Sequence, residues 1–292
     1  MRDDFYKVLG LVGRKIKTGR RRIKMKELLK IENLSISLNE KKIIDSVSLS
    51  VQKEEVYFLV GETGCGKTIL AKSILGLTPK TMKVNGAIKY LSAEGEYINL
   101  RENFSCLKDL RGKEILWVPQ NTNSALNPLL NMEKQFLLPM KKRLGLKKQN
   151  ARKKILELFK MLSLNPAEEI LRCYPYELSG GMKVRAMIAI GLALNAKLLL
   201  LDEPTKGLDA SSCLELMNLL FKLVKEYKMS ILFITHDLRI VEQYSENIAV
   251  MHQGKIVDRG KYQHVVRENP KAYVRAFWKA LPENGMEVLC DA

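Results

Sequence analysis

Three observations predict an α/β fold with a mainly parallel sheet at its core. Short apolar runs at Val56–Val60, Leu198–Leu201 and Ile231–Ile234 have the length and composition of strands buried on both faces. Segments with helical spacing alternate with them, which is how parallel strands are connected. A separate period-two pattern precedes the core, at Leu34, Ile36, Leu38 and again at Val47, Leu49, Val51, and reads as antiparallel strands.

Taken in order, the antiparallel strands begin at Leu28, and Val56–Val60 follows as a buried strand ending at a glycine. Thr68 to Leu77 has helical spacing, and Ile115 to Val118 is another short strand. From about Asn121 to Glu177 no strand-like run occurs; Ile155, Leu156, Leu158, Phe159 and Leu162 define one helical face there. Met182 to Leu194 reads as a helix, Leu198–Leu201 as a strand, and Leu214–Tyr227 as a helix. Strands follow at Ile231–Ile234 and Ile248–Met251, with a hairpin expected between Gly254 and Gly260. There is no internal repeat, so the pattern implies one core with a helical insertion.

Composition narrows the class. A chain of 292 residues, 46% hydrophobic and 28% charged, is that of a globular protein rather than a disordered one. The longest uncharged stretch in its most apolar region, Ala186 to Ala196, is far short of the about 20 residues of a spanning helix. Val8 to Val12 is too short for a secretory apolar segment. The five cysteines, at 65, 106, 173, 213 and 290, include no CxxC pair and fit a reducing compartment better than a disulfide framework or zinc site. Lys and Arg outnumber Asp and Glu by 49 to 32, a net charge of +17. The excess is concentrated in residues 1–26 and 134–156. A solvated surface, an anionic lipid surface and nucleic acid are all compatible with it.

The chemistry begins at Gly61, Glu62, Thr63, Gly64, Cys65, Gly66, Lys67 and Thr68, which match G-x-x-x-x-G-K-[ST] between a strand and a helix. Glycines there let backbone N–H groups turn toward phosphate oxygens, beside the positive end of the helix that continues through Ile69. Lys67 can reach the β- and γ-phosphates, and Thr68 offers a hydroxyl to Mg²⁺. The strand Leu198–Leu201 delivers Asp202 and Glu203 at its end: Asp202 as a metal ligand, Glu203 as the group polarising an attacking water. Three further pieces are weak singly. Leu178, Ser179, Gly180, Gly181 and Met182 open a helix just before that strand; Gln120 follows Trp117-Val118-Pro119; His236 follows Phe233-Ile234-Thr235.

In this order the five pieces resemble the ATP-binding subunit of an ATP-binding cassette (ABC) transporter. The resemblance implies a P-loop NTPase (RecA-like) core with an N-terminal antiparallel β subdomain and an inserted helical subdomain. It divides the chain into a basic arm, 1–26, an ATPase domain, 27–265, with the helical subdomain at about 121–180, and a short C-terminal extension, 266–292. It implies ATP and Mg²⁺, a second identical or related ATP-binding subunit in a sandwich dimer, and transmembrane permease subunits on which the helical subdomain docks. A solute-binding protein would act indirectly, and no nucleic acid partner is expected. The chain would lie at the cytoplasmic face of the cell membrane. By resemblance, Ser179, Gly180 and Gly181 cap the γ-phosphate held by the partner, and Gln120 links metal to the docking surface. His236 contacts the γ-phosphate, and Gly207, Leu208 and Asp209 cross the dimer seam.

Gln120, Ser124, Leu126, Asn127 and Pro128 resemble a stretch of the oligopeptide, dipeptide and nickel importers. So do Tyr174 to Glu177, and the tail from Asn269, Pro270 and Tyr273 to Pro282. A soluble relative acting on ribosomes or nucleic acid is the alternative, although such relatives typically carry two cassettes or a long coiled coil. A plain nucleotide kinase leaves Leu178–Met182 unexplained. Three positions depart from the family's pattern. Leu38 stands where an aromatic usually stacks on adenine, with Tyr6 a possible substitute; Glu54 replaces a common glycine; no cysteine-rich C-terminal region is present beyond Cys290. Residues 1–24 are expected to be dispensable for hydrolysis. Cys65, at a helix N-terminus beside Lys67, is expected to have a lowered pKa.

Overall fold

A computed structural model describes residues 26–268 and 270–279. All but Lys26 of the expected basic arm, with Tyr6, and also Asn269, residues 280–292 and Cys290, lie outside the described residues.

Two long strands, β1 (Glu27–Leu38) and β2 (Lys41–Gln52), pair antiparallel as their alternation requires. The buried strand β3 (Val56–Val60) leads into α1 (Lys67–Ile74). Then come β4 (Lys83–Leu91), β5 (Tyr97–Asn99), α2 (Phe104–Leu110) and β6 (Ile115–Val118). The first three of these are absent from the sequence expectation. β4 carries lysines at both ends and a central Gly86, and only its second half is buried, so its alternation is too faint to read. It adds to β1, completing a sheet of order β2-β1-β4-β5.

The strand-free region holds α3 (Met132–Leu144), α4 (Lys148–Met161) and α5 (Ala167–Arg172). Arg152 of α4 pairs with Glu133 of α3 at 3.0 Å and also with Glu168 of α5, clamping the three together. The chain returns through α6 (Gly180–Ala193), β7 (Leu198–Asp202), α7 (Ala210–Tyr227), β8 (Ser230–Thr235) and α8 (Leu238–Tyr244). β9 (Asn247–His252), β10 (Lys255–Lys261) and α9 (Ala272–Lys279) complete it. The β9–β10 turn is at Gln253 and Gly254; Gly260 lies inside β10, not at the far boundary of a loop.

The second sheet has the order β10-β9-β3-β8-β7-β6 and is parallel except at β10. Its central strands are apolar throughout because both faces are covered. Phe58, Val60, Leu199, Leu201, Ile231 and Phe233 face the core shared with the helical insertion and α7. Their neighbours Tyr57, Leu59, Leu198, Leu200, Leu232 and Ile234 face the core shared with the antiparallel sheet and α1. Period-two side-chain direction thus glues two layers to one sheet, each fully buried leucine contributing about 2 kcal/mol.

Glu54, exposed in the turn before β3, has φ +59°, and its N–H donates to Ser230 Oγ at 2.9 Å. The turn keeps the left-handed backbone that glycine favours although the residue is glutamate. That conformation costs a non-glycine residue about 1–2 kcal/mol. Glu54→Gly should raise the urea midpoint, with a net gain of about 1 kcal/mol after the extra entropy of glycine in the unfolded chain. A lower midpoint would show that the glutamate side chain contributes more than the strain removes.

Candidate active site

Parallel pairing decides what meets at the carboxyl edge of the sheet. Val60 pairs with Thr235, Asp202 with Ile234, and Val118 with Leu201. The residues immediately after these strands therefore share one edge, where open α/β sheets bind ligands. These are the loop from Gly61, the pair Asp202 and Glu203, His236, and Gln120.

Gly61 fits because the chain passes close to β9: a Cβ there would lie 2.1 Å from the Met251 carbonyl oxygen. Gly66, at φ +111°, turns the loop into α1. Thr63 and Gly64 are exposed, Glu62, Thr68 and Ile69 half-buried, and Lys67 is buried. Lys67 Nζ donates to the carbonyls of Gly61 at 2.6 Å and Glu62 at 2.8 Å, which hold the ammonium over the concave side of the loop. Thr68 Oγ1 donates to Asp202 Oδ2 at 2.8 Å, joining the two halves of the site across 134 residues.

Asp202 is almost fully buried. Burial pushes its pKa up, opposed by the Thr68 hydroxyl, reinforced by the charge of Glu203 and opposed by Lys67 and Lys72. Glu203 follows with φ +51°, a left-handed conformation for a bulky residue. Its N–H donates to the Ile234 carbonyl at 2.9 Å, which holds the turn against β8. Its carboxylate lies 2.7 Å from His236 Nδ1 and accepts from Thr235 Oγ1 at 3.2 Å. Opposite a carboxylate, Nδ1 carries the proton. Thr235 Oγ1 also accepts from the N–H of Asp237 at 3.0 Å, so one buried hydroxyl fixes both the acid and the turn beyond it. Thr235 escaped the sequence reading; its position directly before His236 was the available signal.

Of the remaining expected residues, Ser179, Gly180, Gly181 and Asp209 lie away from this cluster. Ser179 caps α6, its hydroxyl accepting from the Met182 N–H at 3.3 Å, and Gly180 beside it is exposed. α6 thus starts at Gly180, two residues before the expected Met182. Ser179 and Gly181 line a groove of about 240 Å³ with Leu208, Ser212 and Arg185, not with the loop around Lys67. Asp209 caps α7, accepting from Ser212 N at 2.9 Å and Ser212 Oγ at 2.6 Å. Those bonds hold its carboxyl below the usual range. Gln120 is exposed at the end of β6.

Cys65 corrects an expectation. The thiol is buried, and burial pushes its pKa up; the nearby Lys67 and the loop N–H groups oppose this without reversing it. Desolvation outweighs the helix end because the thiol is buried beside Gly61, in the core that also holds Met251.

Hard oxygen donors are what Mg²⁺ takes from proteins, usually one or two at a site with phosphates supplying the rest. Thr68 and Asp202, in contact and at the mouth of the loop, are such a pair.

Fold and site together define a P-loop nucleotide hydrolase. The profile of the ABC transporter family matches residues 44–206. The chain is 34% identical over 264 residues to the oligopeptide transport ATP-binding protein AppD of Bacillus subtilis, covering 88% of this chain and 79% of that one. It is 33% identical over 250 residues to the metal-staphylopine import system ATP-binding protein CntD of Staphylococcus aureus, covering 85% and 91%. The peptidoglycan transport ATP-binding protein YejF of Agrobacterium fabrum is 36% identical over 260 residues, but this chain spans only 47% of its length. Among solved structures, the dimeric MJ0796, a bacterial ABC transporter cassette, superposes with a TM-score of 0.68 at 27% identity, over 80% of this chain and 98% of that one. A post-hydrolysis state of the same cassette, bound to ADP and Pi, gives 0.66. This protein belongs to the ABC transporter family and is an ATP-binding ATPase.

The burial of Cys65 has a direct test. At neutral pH, maleimide should label exposed Cys106 first and Cys65 about tenfold more slowly or less. Because the Cys65 pKa is raised, its labelling should grow as pH climbs past the ordinary thiol range. Peptide mass spectrometry reads both rates; equal rates at neutral pH would restore activation by the helix end.

Proposed function

We propose that this chain is the ATP-hydrolysing subunit of an importer that moves peptides or a nickel-type metal complex through separate transmembrane subunits. The observation that carries this reading is its likeness, along most of its length, to AppD and CntD, whose names state oligopeptide transport and metal-staphylopine import. Gln120 to Pro128 and Tyr174 to Glu177 support the same group. The described residues contain no helix long and apolar enough to cross a membrane, which fits peripheral attachment at the cytoplasmic face through permease subunits. A second, identical or related, ATP-binding subunit completes the site, since Ser179 and its groove lie with α7 rather than with Lys67.

In the mechanism we propose, the loop Gly61–Thr68 cradles the ATP phosphates with its N–H groups. Lys67 exchanges the Gly61 and Glu62 carbonyls for β- and γ-phosphate oxygens. Glu203 accepts a proton from the attacking water as the water oxygen closes on the γ-phosphorus. The bond from that phosphorus to the β–γ bridging oxygen breaks, the electron pair leaving with ADP and the γ-phosphoryl group becoming inorganic phosphate. The bond from His236 Nδ1 and the Thr235 hydroxyl keep that carboxylate aimed. Nε2 remains as the ring atom available to a γ-phosphate oxygen once protonated. Thr68, Asp202 and Gln120 are the residues to hold Mg²⁺, which when bound neutralises charge on the phosphate oxygens. The partner's signature, Ser179 with the N-terminal amides at Gly180 and Gly181, caps the γ-phosphate from the opposite side. Asp209, with its charge fixed by Ser212, sits at the seam.

Co-purification from detergent-solubilised membranes tests the assignment: permease subunits should accompany the chain, and ribosomes should not. Recovery with ribosomes would favour the alternative. Glu203→Gln should keep nucleotide binding, slow hydrolysis by about 100-fold or more, and accumulate as a nucleotide-clamped dimer on size-exclusion chromatography. Lys67→Ala should lose binding and never clamp. Near-normal turnover in Glu203→Gln would move the general base to His236. Leu38, half-buried at the end of β1, offers no aromatic face to adenine. Leu38→Tyr should tighten ATP binding about fivefold or more, given stacking worth roughly 1–3 kcal/mol; titration with a fluorescent analogue would show it.

A further inference from the structure

The phosphate loop is gripped from a direction that none of the five motifs accounts for. Glu62 is the residue whose carbonyl accepts from Lys67 at 2.8 Å. Its carboxylate Oε1 accepts from the hydroxyl of Tyr273, 211 residues away on α9, also at 2.8 Å. Its other oxygen, Oε2, lies 4.0 Å from Nδ1 of His252, the last residue of β9. That nitrogen is buried and has no hydrogen-bond partner. Both carboxylate oxygens therefore face polar atoms from the C-terminal part of the chain, one bonded and one too far away to bond.

The tyrosine is itself immobilised. Its ring lies on His252, centroids 3.9 Å apart, and stacks on Phe277 at 5.7 Å. Val274, Phe277 and Trp278 of α9 are buried in the main core. Lys271 ties the start of the helix to β10, donating to the Val257 carbonyl at 2.6 Å. Burial, then the bond and charge of Glu62, push the phenol pKa far up, so the hydroxyl remains a donor at any physiological pH. Packing alone would require the ring; it would not require a hydroxyl aimed at a loop carboxylate.

We propose that Tyr273 is a positioning residue for the phosphate loop. Its hydroxyl holds the Glu62 carboxylate, and through Glu62 the carbonyl against which Lys67 rests, so that α9 sets how ready the loop is to accept nucleotide. A charge-assisted bond of this kind fixes the loop before ATP arrives, and its loss is felt as weaker binding rather than slower chemistry. Any partner or event that shifts α9 would then change ATP affinity without touching a motif residue. The inference concerns nucleotide binding alone and stands whether or not the cargo is a peptide.

The test uses the purified full chain. Tyr273→Phe keeps both ring contacts and removes only the hydroxyl. Nucleotide Kd and the KM for ATP should rise about fivefold to tenfold, kcat should stay within about twofold, and the thermal midpoint of nucleotide-free protein should fall by no more than about 4 °C. In a Glu62→Ala background, Tyr273→Phe should cost nothing further, because the bond it breaks is already gone. Unchanged affinity in the single variant would overturn the proposal. So would additive losses in the double variant, or a larger fall in midpoint with kcat falling alongside affinity, which would mark Tyr273 as a packing residue only.

Discussion

The in-register parallel pairing of β3, β8 and β7 is the constraint on which the site depends. These strands are followed by the loop from Gly61, the acid Glu203 and the imidazole of His236. Pairing Val60 with Thr235 and Asp202 with Ile234 brings them to one edge at fixed spacing. A slip of one residue would also turn Phe58, Leu201 and Phe233 from one core to the other, so burial on both faces enforces the register that the chemistry needs.

Electrostatics at that edge are under tension. Two adjacent acids, Asp202 and Glu203, are both buried or nearly so. Each is satisfied by a specific donor: Thr68 for Asp202, and His236 with Thr235 for Glu203. The left-handed backbone at Glu203 is the geometric consequence, since it sends two consecutive side chains to different partners. Lys67 supplies the opposing charge but is bonded to carbonyls of its own loop. It is thus held near the acids without being neutralised by them, and remains free to change partners.

The loop is equally a tertiary object. Close passage of β9 demands a glycine at position 61, the β9–β10 turn bonds the loop through Gly254 N to the Cys65 carbonyl at 3.1 Å, and α9 reaches it through Tyr273. The part of the chain after His236 therefore supports the loop near its start. That arrangement gives the C-terminal region a direct physical connection to the loop.

Contiguous chemistry was legible in the sequence. The loop Gly61–Thr68 and the Asp202–Glu203 pair on its leucine strand each rest on neighbouring residues that spacing picks out, whereas Ser179 at a helix start and His236 after a strand stand out only through their order in the set. The buried parallel strands were legible for the same reason, since burial on both faces writes itself as an unbroken apolar run. What only the tertiary structure decided depends on residues far apart or on desolvation. β4 and β5 are edge strands whose half-exposed pattern is indistinct, and they become strands by pairing with β1. Cys65 lies at a helix start beside a lysine, but its burial next to Gly61 makes desolvation the larger effect. Glu62 and Tyr273 each lie in a stretch that the sequence singles out, but not as partners; they meet because α9 folds back across β10, and no local pattern encodes a contact spanning 211 residues.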